Sequence, residues 1–134
     1  MKRVYERVCG LDVHRDTVKA CVRLPEHTEN EPGILAMFGT RTADLLALRD
    51  WLQSLGVTHV AMEATGVYWK PVYYMLEDCM KVLLVNPRDV QQVPGRKTDA
   101  SDAAWIAQLL QCGLLRGSFV PPREIRELRD LTKR

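Results

Sequence analysis

The apolar and polar positions along the chain change period partway. Residues 4–12 form a short run rich in β-forming side chains. From 17 to 24 the alternation is strict, with Val18, Ala20, Val22 and Leu24 on one face and Thr17, Lys19, Cys21 and Arg23 on the other. Val13, His14, Arg15 and Asp16 between the two runs suit a hairpin turn. The polar, acidic stretch 25–33 reads as a loop, and 34–40 as a third strand. These three strands make an antiparallel meander.

A helical period follows. Thr42 is a candidate cap for a helix with Leu45, Leu48, Leu52 and Leu55 at helical spacing, and Gly56 stops it. Residues 57–63 predict a strand, and 69–79 a helix with Pro71 tolerated in its first turn. The run 81–86 (KVLLVN) is apolar enough for a strand buried on both faces. After a loop at 87–97, a last helix is expected from about 98 to 111, with Gly113 as its stop. The order is βββαβαβα. It predicts an α/β fold with strands 1, 4 and 5 parallel in a mixed sheet and helices on both faces, because crossovers are right-handed. That arrangement is similar to ribonuclease H-like domains and to half of an actin-like ATPase.

Composition narrows the picture. The 134 residues suffice for one domain with one core. The formal charge is only +2, but residues 1–80 carry net −2 and 81–134 net +4, so a polyanion partner is sought toward the C-terminal part. Cys9, Cys21, Cys79 and Cys112 are too widely spaced for a zinc knuckle or a redox CxxC pair. Cys9 and Cys21 lie in apolar strands, where buried reduced thiols are expected. No leader-like or membrane-spanning stretch is visible, so a cytoplasmic setting is expected. From Arg123, Ile125, Leu128 and Leu131 form a narrow apolar seam, the expected start of a coiled-coil linker. It ends after about three turns, which suggests a fragment of a longer protein.

The candidate chemistry is carboxylate. Asp12 ends the first strand and Glu63 the fourth, so parallel pairing of those strands sets them side by side, ~5 Å apart. Asp99 and Asp102 stand i,i+3 near the start of the last helix. Four carboxylates converging from three segments would suit Mg²⁺, and a pair of such ions can grip a phosphodiester. Bland readings exist for each. Asp12 is a reasonable turn residue, and Asp99 and Asp102 could complement a helix dipole. Glu63, between Met62 and Ala64, is costly to bury unpaired. Arg88, Arg96 and Lys97 are candidate phosphate contacts, or else a solvated loop. Tyr68 and Trp69 could stack on a base, though anchoring the helix is the simpler role. His14 could assist proton transfer, although an exposed turn histidine is the simpler reading.

The segments GLDVHRDTVKACV, VAMEATGVYWKP and LLVNPRDVQQVPGRKTDASDAAWIAQLL together resemble the N-terminal domain of the insertion sequence 110 transposases, also called DEDD transposases. That domain is similar to RuvC-type Holliday-junction resolvases. The match runs from about Val8 to Leu115. It implies that Asp12, Glu63, Asp99 and Asp102 are the family's metal-binding and catalytic tetrad, holding Mg²⁺, or alternatively Mn²⁺, for Mg-dependent DNA strand cleavage and rejoining. It also implies DNA as partner, a structured guide RNA, a homo-oligomer in the full-length protein, and a bacterial or archaeal, nucleoid-associated setting. The expected organisation is a RuvC-like domain at 1–117 and the start of a linker helix at 118–134. The family's C-terminal, serine-bearing domain is not in this sequence, so complete recombination by the chain alone is not expected. Two other readings compete. An actin-like nucleotide-binding module would want Gly and Ser/Thr in the first hairpin, where Val13, His14, Arg15 and Asp16 stand. The other is an inactive truncated remnant with a nucleic-acid-binding or assembly role.

Overall fold

A computed structural model describes residues 2–64, 66–86, 90, 102–115 and 117–118. Six strands form one sheet: β1 (Val8–Val13), β2 (Val18–Arg23), β3 (Ile34–Phe38), β4 (His59–Ala64), β5 (Lys81–Val85) and β6 (Gly117–Ser118), in the spatial order β3-β2-β1-β4-β5-β6. Strands β1, β4 and β5 are parallel, as the order of elements requires, while β2, β3 and β6 run antiparallel to their neighbours. The two-residue β6, pairing Leu84 with Ser118 and Val85 with Gly117, carries no signal in the sequence.

Helices α1 (Thr42–Ser54) and α2 (Trp69–Leu76) cover one face, and α3 (Asp102–Gln111) covers the other. On the first face Leu11, Val13, Val18, Val60 and Met62 meet Leu45, Leu48 and Leu52 of α1 and Val72 and Leu76 of α2. On the second, Val8, Ala61 and Val85 meet Trp105, Ile106, Leu109 and Leu110. Stacked layers of this kind bury the apolar side of each element, the main stabilising contribution.

The helix ends follow from local sequence. Helix α1 starts one residue earlier than a Thr42 cap implies: Arg41 takes the cap position, and its backbone N–H donates to Asp44 Oδ2 at 3.2 Å. Gly56 (φ +71°) and Gly113 (φ +68°) follow α1 and α3 in the left-handed conformation. Gly56 N–H donates to Gln53 O and Val57 N–H to Leu52 O, while Gly113 N–H and Leu114 N–H donate to Leu110 O and Leu109 O. Each set is a Schellman closure. Helix α2 ends at Leu76, short of the expected 79, in a turn closed by Cys79 N–H and Met80 N–H to Leu76 O.

Strand β2 alternates as read, and Cys21 is buried as expected. Arg23, on the same face, is buried with it beneath α3, and only Lys19 on that face of the strand is exposed. One expectation needs correction. Strand β5 is half-buried over most of its length rather than sealed on both faces. The expected start of the last helix at 98 and the coiled-coil seam from Arg123 lie outside the described residues.

Candidate metal and nucleic-acid site

Asp12 and Glu63 are register partners in the parallel β1–β4 pair, near the carboxyl ends of both strands. Side chains alternate along a strand, so both project on the face that α3 covers, with Val8 and Gly10 of β1 and Ala61 of β4. Neighbouring strands lie about 4.8 Å apart, which makes the two carboxylates immediate neighbours. Strand pairing between distant segments achieves this, and no local motif could.

Gly10 sets how α3 sits above them. A Cβ there would lie 2.5 Å from the Ala107 amide nitrogen and would also strike the Ala103 carbonyl. The helix backbone therefore rests directly on β1, with Ala103, Ala104 and Ala107 as the small contact residues. The other end of α3 is locked by Gln111, whose side-chain amide donates to Glu6 O at 3.1 Å and whose Oε1 accepts from Arg23 Nε at 3.0 Å. The helix thus runs antiparallel to β1, and Asp102, its first residue, stands toward the carboxyl end of the strand, where Asp12 lies.

Asp12 is 13% exposed, and its Oδ1 lies 3.2 Å from His14 Nε2, itself half exposed. The His14 backbone N–H closes the β1–β2 turn on Thr17 O at 2.8 Å. His14 is therefore an exposed turn residue, as the simpler sequence reading had it, and also the polar partner of Asp12. Position two residues beyond a strand-end carboxylate, on the same face, was the signal for this contact. Lys19, by contrast, is a residue that the sequence did not single out. It pairs with Asp12 across the β1–β2 ladder, is exposed, and shares the face of Asp12 and Glu63.

Trp69 packs against the core beside Tyr73, their rings 5.9 Å apart and edge to face, so it anchors α2; Tyr68 remains exposed. All four cysteines are free. Burial pushes the Cys21 thiol up to about 11, and its Sγ lies 2.9 Å from Pro32 O, so both buried thiols serve as core.

Of the carboxylates singled out, Asp12 and Glu63 are brought together, and Asp102 lies on the helix above the same face. Among the described residues, no group of three or more His, Cys, Asp and Glu side chains is placed to hold a metal ion. Asp99, Arg88, Arg96 and Lys97 lie outside the described residues. No helix among the described residues is long and apolar enough to cross a membrane.

A mixed sheet of this order, covered on both faces and carrying acidic residues at the ends of its parallel strands, defines a ribonuclease H-like domain. The model of the DEDD transposase family of the insertion sequence 110 type, described as a transposase, matches residues 9–134. The chain belongs to that family: it is a transposase domain, and a transposase acts on DNA. Domains of this family generally work with a divalent metal ion. A comparison with curated proteins finds no match.

Proposed function

We propose that this chain is the Mg-dependent DNA-cleaving domain of its transposase, with Asp12, Glu63, Asp99 and Asp102 as metal-binding catalytic residues and Arg88, Arg96 and Lys97 as contacts to the phosphate backbone. The carrying observation is the register pairing of Asp12 with Glu63 on the face beneath α3. A purely oxygen donor set suits a hard cation. Mg²⁺ is commonly held by one or two carboxylates, with waters and substrate phosphates completing its octahedron, so an adjacent pair fits without a full protein cage. Mn²⁺ fits the same donors.

Within this reading, Asp12 and Glu63 hold the ion, and His14 orients Asp12 through Oδ1. Asp102 approaches from α3. When bound, the ion supplies Lewis-acid stabilisation of charge on the phosphoryl oxygens. Helix α3, seated on Gly10, fixes how far Asp102 stands from the pair. In this reading, complete strand exchange is the work of a larger assembly that includes a serine-bearing domain, a guide RNA and more than one copy of the protein, acting on nucleoid DNA in the cytoplasm.

The test is thermal unfolding of wild type, Asp12→Ala and Glu63→Ala under Mg²⁺ or Mn²⁺ titration. Binding raises stability by RT ln(1 + [L]/Kd), so wild type gains about 2.7 kcal/mol at a hundredfold excess over Kd, and each variant loses most of that gain. Equal stabilisation of all three proteins would remove the ion from this site.

A further inference from the structure

The ladder registers place four residues in one row across four strands. Met37 of β3 pairs with Lys19 of β2, Lys19 with Asp12 of β1, and Asp12 with Glu63 of β4. At about 4.8 Å per strand the row spans roughly 14 Å, about four nucleotide rises of one DNA strand. The carboxylates occupy one end. Lys19, next along, is exposed and makes no ion pair among the described residues, because Asp12 turns to His14 instead. At the far end Met37 is 62% exposed, with Leu35 two residues back on the same face at 56%. Lys19, Ala20, Leu35, Ala36, Met37 and Ala103 line a shallow, almost wholly apolar concavity of about 330 Å³. Strand β3 is an edge of the sheet, and natural edges rarely show large apolar side chains to water unless something covers them.

We propose that this row is the track for the DNA strand to be cut. Lys19 holds the phosphate next to the one at the carboxylates, and Met37 and Leu35 contact the adjoining sugar and base. The proposal rests on the metal-site reading for the position of the cut. Charge argues for this occupant. A carboxylate pair repels a polyanion, so the strand needs a cation close by that the carboxylates do not already neutralise, and Lys19 is placed to be one. Continuity argues for it too, because among the described residues the apolar surface runs into the candidate site through Lys19 without an intervening element.

The experiment measures binding of a fluorescein-labelled oligothymidylate of about twenty nucleotides by anisotropy, in Mg²⁺, over a salt series. Lys19→Ala is expected to weaken binding about 5–10-fold and to flatten the log–log salt slope by about 0.7, the loss of one phosphate contact on a single strand. Lys19→Arg should stay within about twofold of wild type. Lys81→Ala, an equal charge change at the opposite end of the parallel strands, should have no effect. The Leu35→Ser/Met37→Ser double variant should weaken binding without changing the salt slope. Equal affinity in wild type and Lys19→Ala, including no affinity in either, overturns the track. So does an equal loss in Lys81→Ala, or a double variant that changes only self-association in sedimentation. An oligouridylate bound more tightly than the oligothymidylate overturns the assignment to DNA. The Mn²⁺ titration of wild type against Asp12→Ala separates the two readings. Its failure beside an intact Lys19 effect removes the ion and keeps the track. Its success beside an absent Lys19 effect does the reverse.

Discussion

Asp12 shows how much one residue depends on its neighbours. It faces Glu63 on one side and Lys19 on the other and is touched by His14 from the turn, so three different segments define its surroundings. Gly10, two residues earlier on the same face, is as constrained as Asp12 is, though for steric reasons. Gly10→Ala would force its methyl group into the backbone of α3, and backbone gives way less readily than a flexible side chain. The expected cost is about 3 kcal/mol in urea unfolding, with the metal-dependent gain in stability reduced as α3 is displaced. A change below about 0.5 kcal/mol would mean that α3 does not rest on β1 as described. Chain order alone suggested that Asp12 and Glu63 would meet, because both end strands that a right-handed crossover makes parallel. The roles of Lys19 and Gly10 were not readable, since each depends on which residue lies across a ladder or above a face.

Among the elements, α3 most changes the meaning of the sequence. Strand β2 reads as half polar, and its Cys21 and Arg23 would face water if the meander stood alone. Helix α3 covers them both, from about eighty residues further along the chain. Arg23 is 1% exposed and is satisfied by donating to Gln111 Oε1 at 3.0 Å, to Thr28 O at 3.0 Å and to Glu31 O. Burial is tolerable only because these acceptors are present. Arg23→Met would leave Gln111 and the two carbonyls short of a donor, at an expected cost of about 2–3 kcal/mol by chemical denaturation. A double-mutant cycle with Gln111→Leu should show coupling of about 1 kcal/mol, since removing both partners leaves less unsatisfied than removing one. Strict additivity would mean that the two side chains do not share a bond. Arg23 shows why the period of a strand reveals its faces without revealing which polar side chain a distant helix will cover.

At the scale of the whole molecule, the N-terminal segment closes the sheet against both α3 and β4. Val4 N–H and Tyr5 N–H donate to Gln111 O, and the Tyr5 ring stacks on His59 with centroids 4.0 Å apart. Burial, with a smaller contribution from Lys81, lowers the His59 pKa below its ordinary 6.5. The folded protein therefore binds fewer protons here than the unfolded chain. Stability is fully present above pH 6.5 and falls as acidification proceeds through the lowered folded pKa. Urea midpoints between pH 8 and pH 5 should decline in wild type and decline less in His59→Gln; parallel declines would assign the effect to other groups. The sequence by itself determined the order of the first five strands and the three helices, the apolar faces of β2 and α1, the two glycine stops, and the carboxylates at the ends of strands 1 and 4. These follow from periodicity, backbone conformation and chain connectivity, which are local or topological. Tertiary structure decided that α3 lies on Gly10, that Arg23 is buried, that β6 joins the sheet, and that Met37, Lys19, Asp12 and Glu63 form one row. Those outcomes depend on register and on which surfaces meet, and both are set only when segments far apart in the chain compete for the same face.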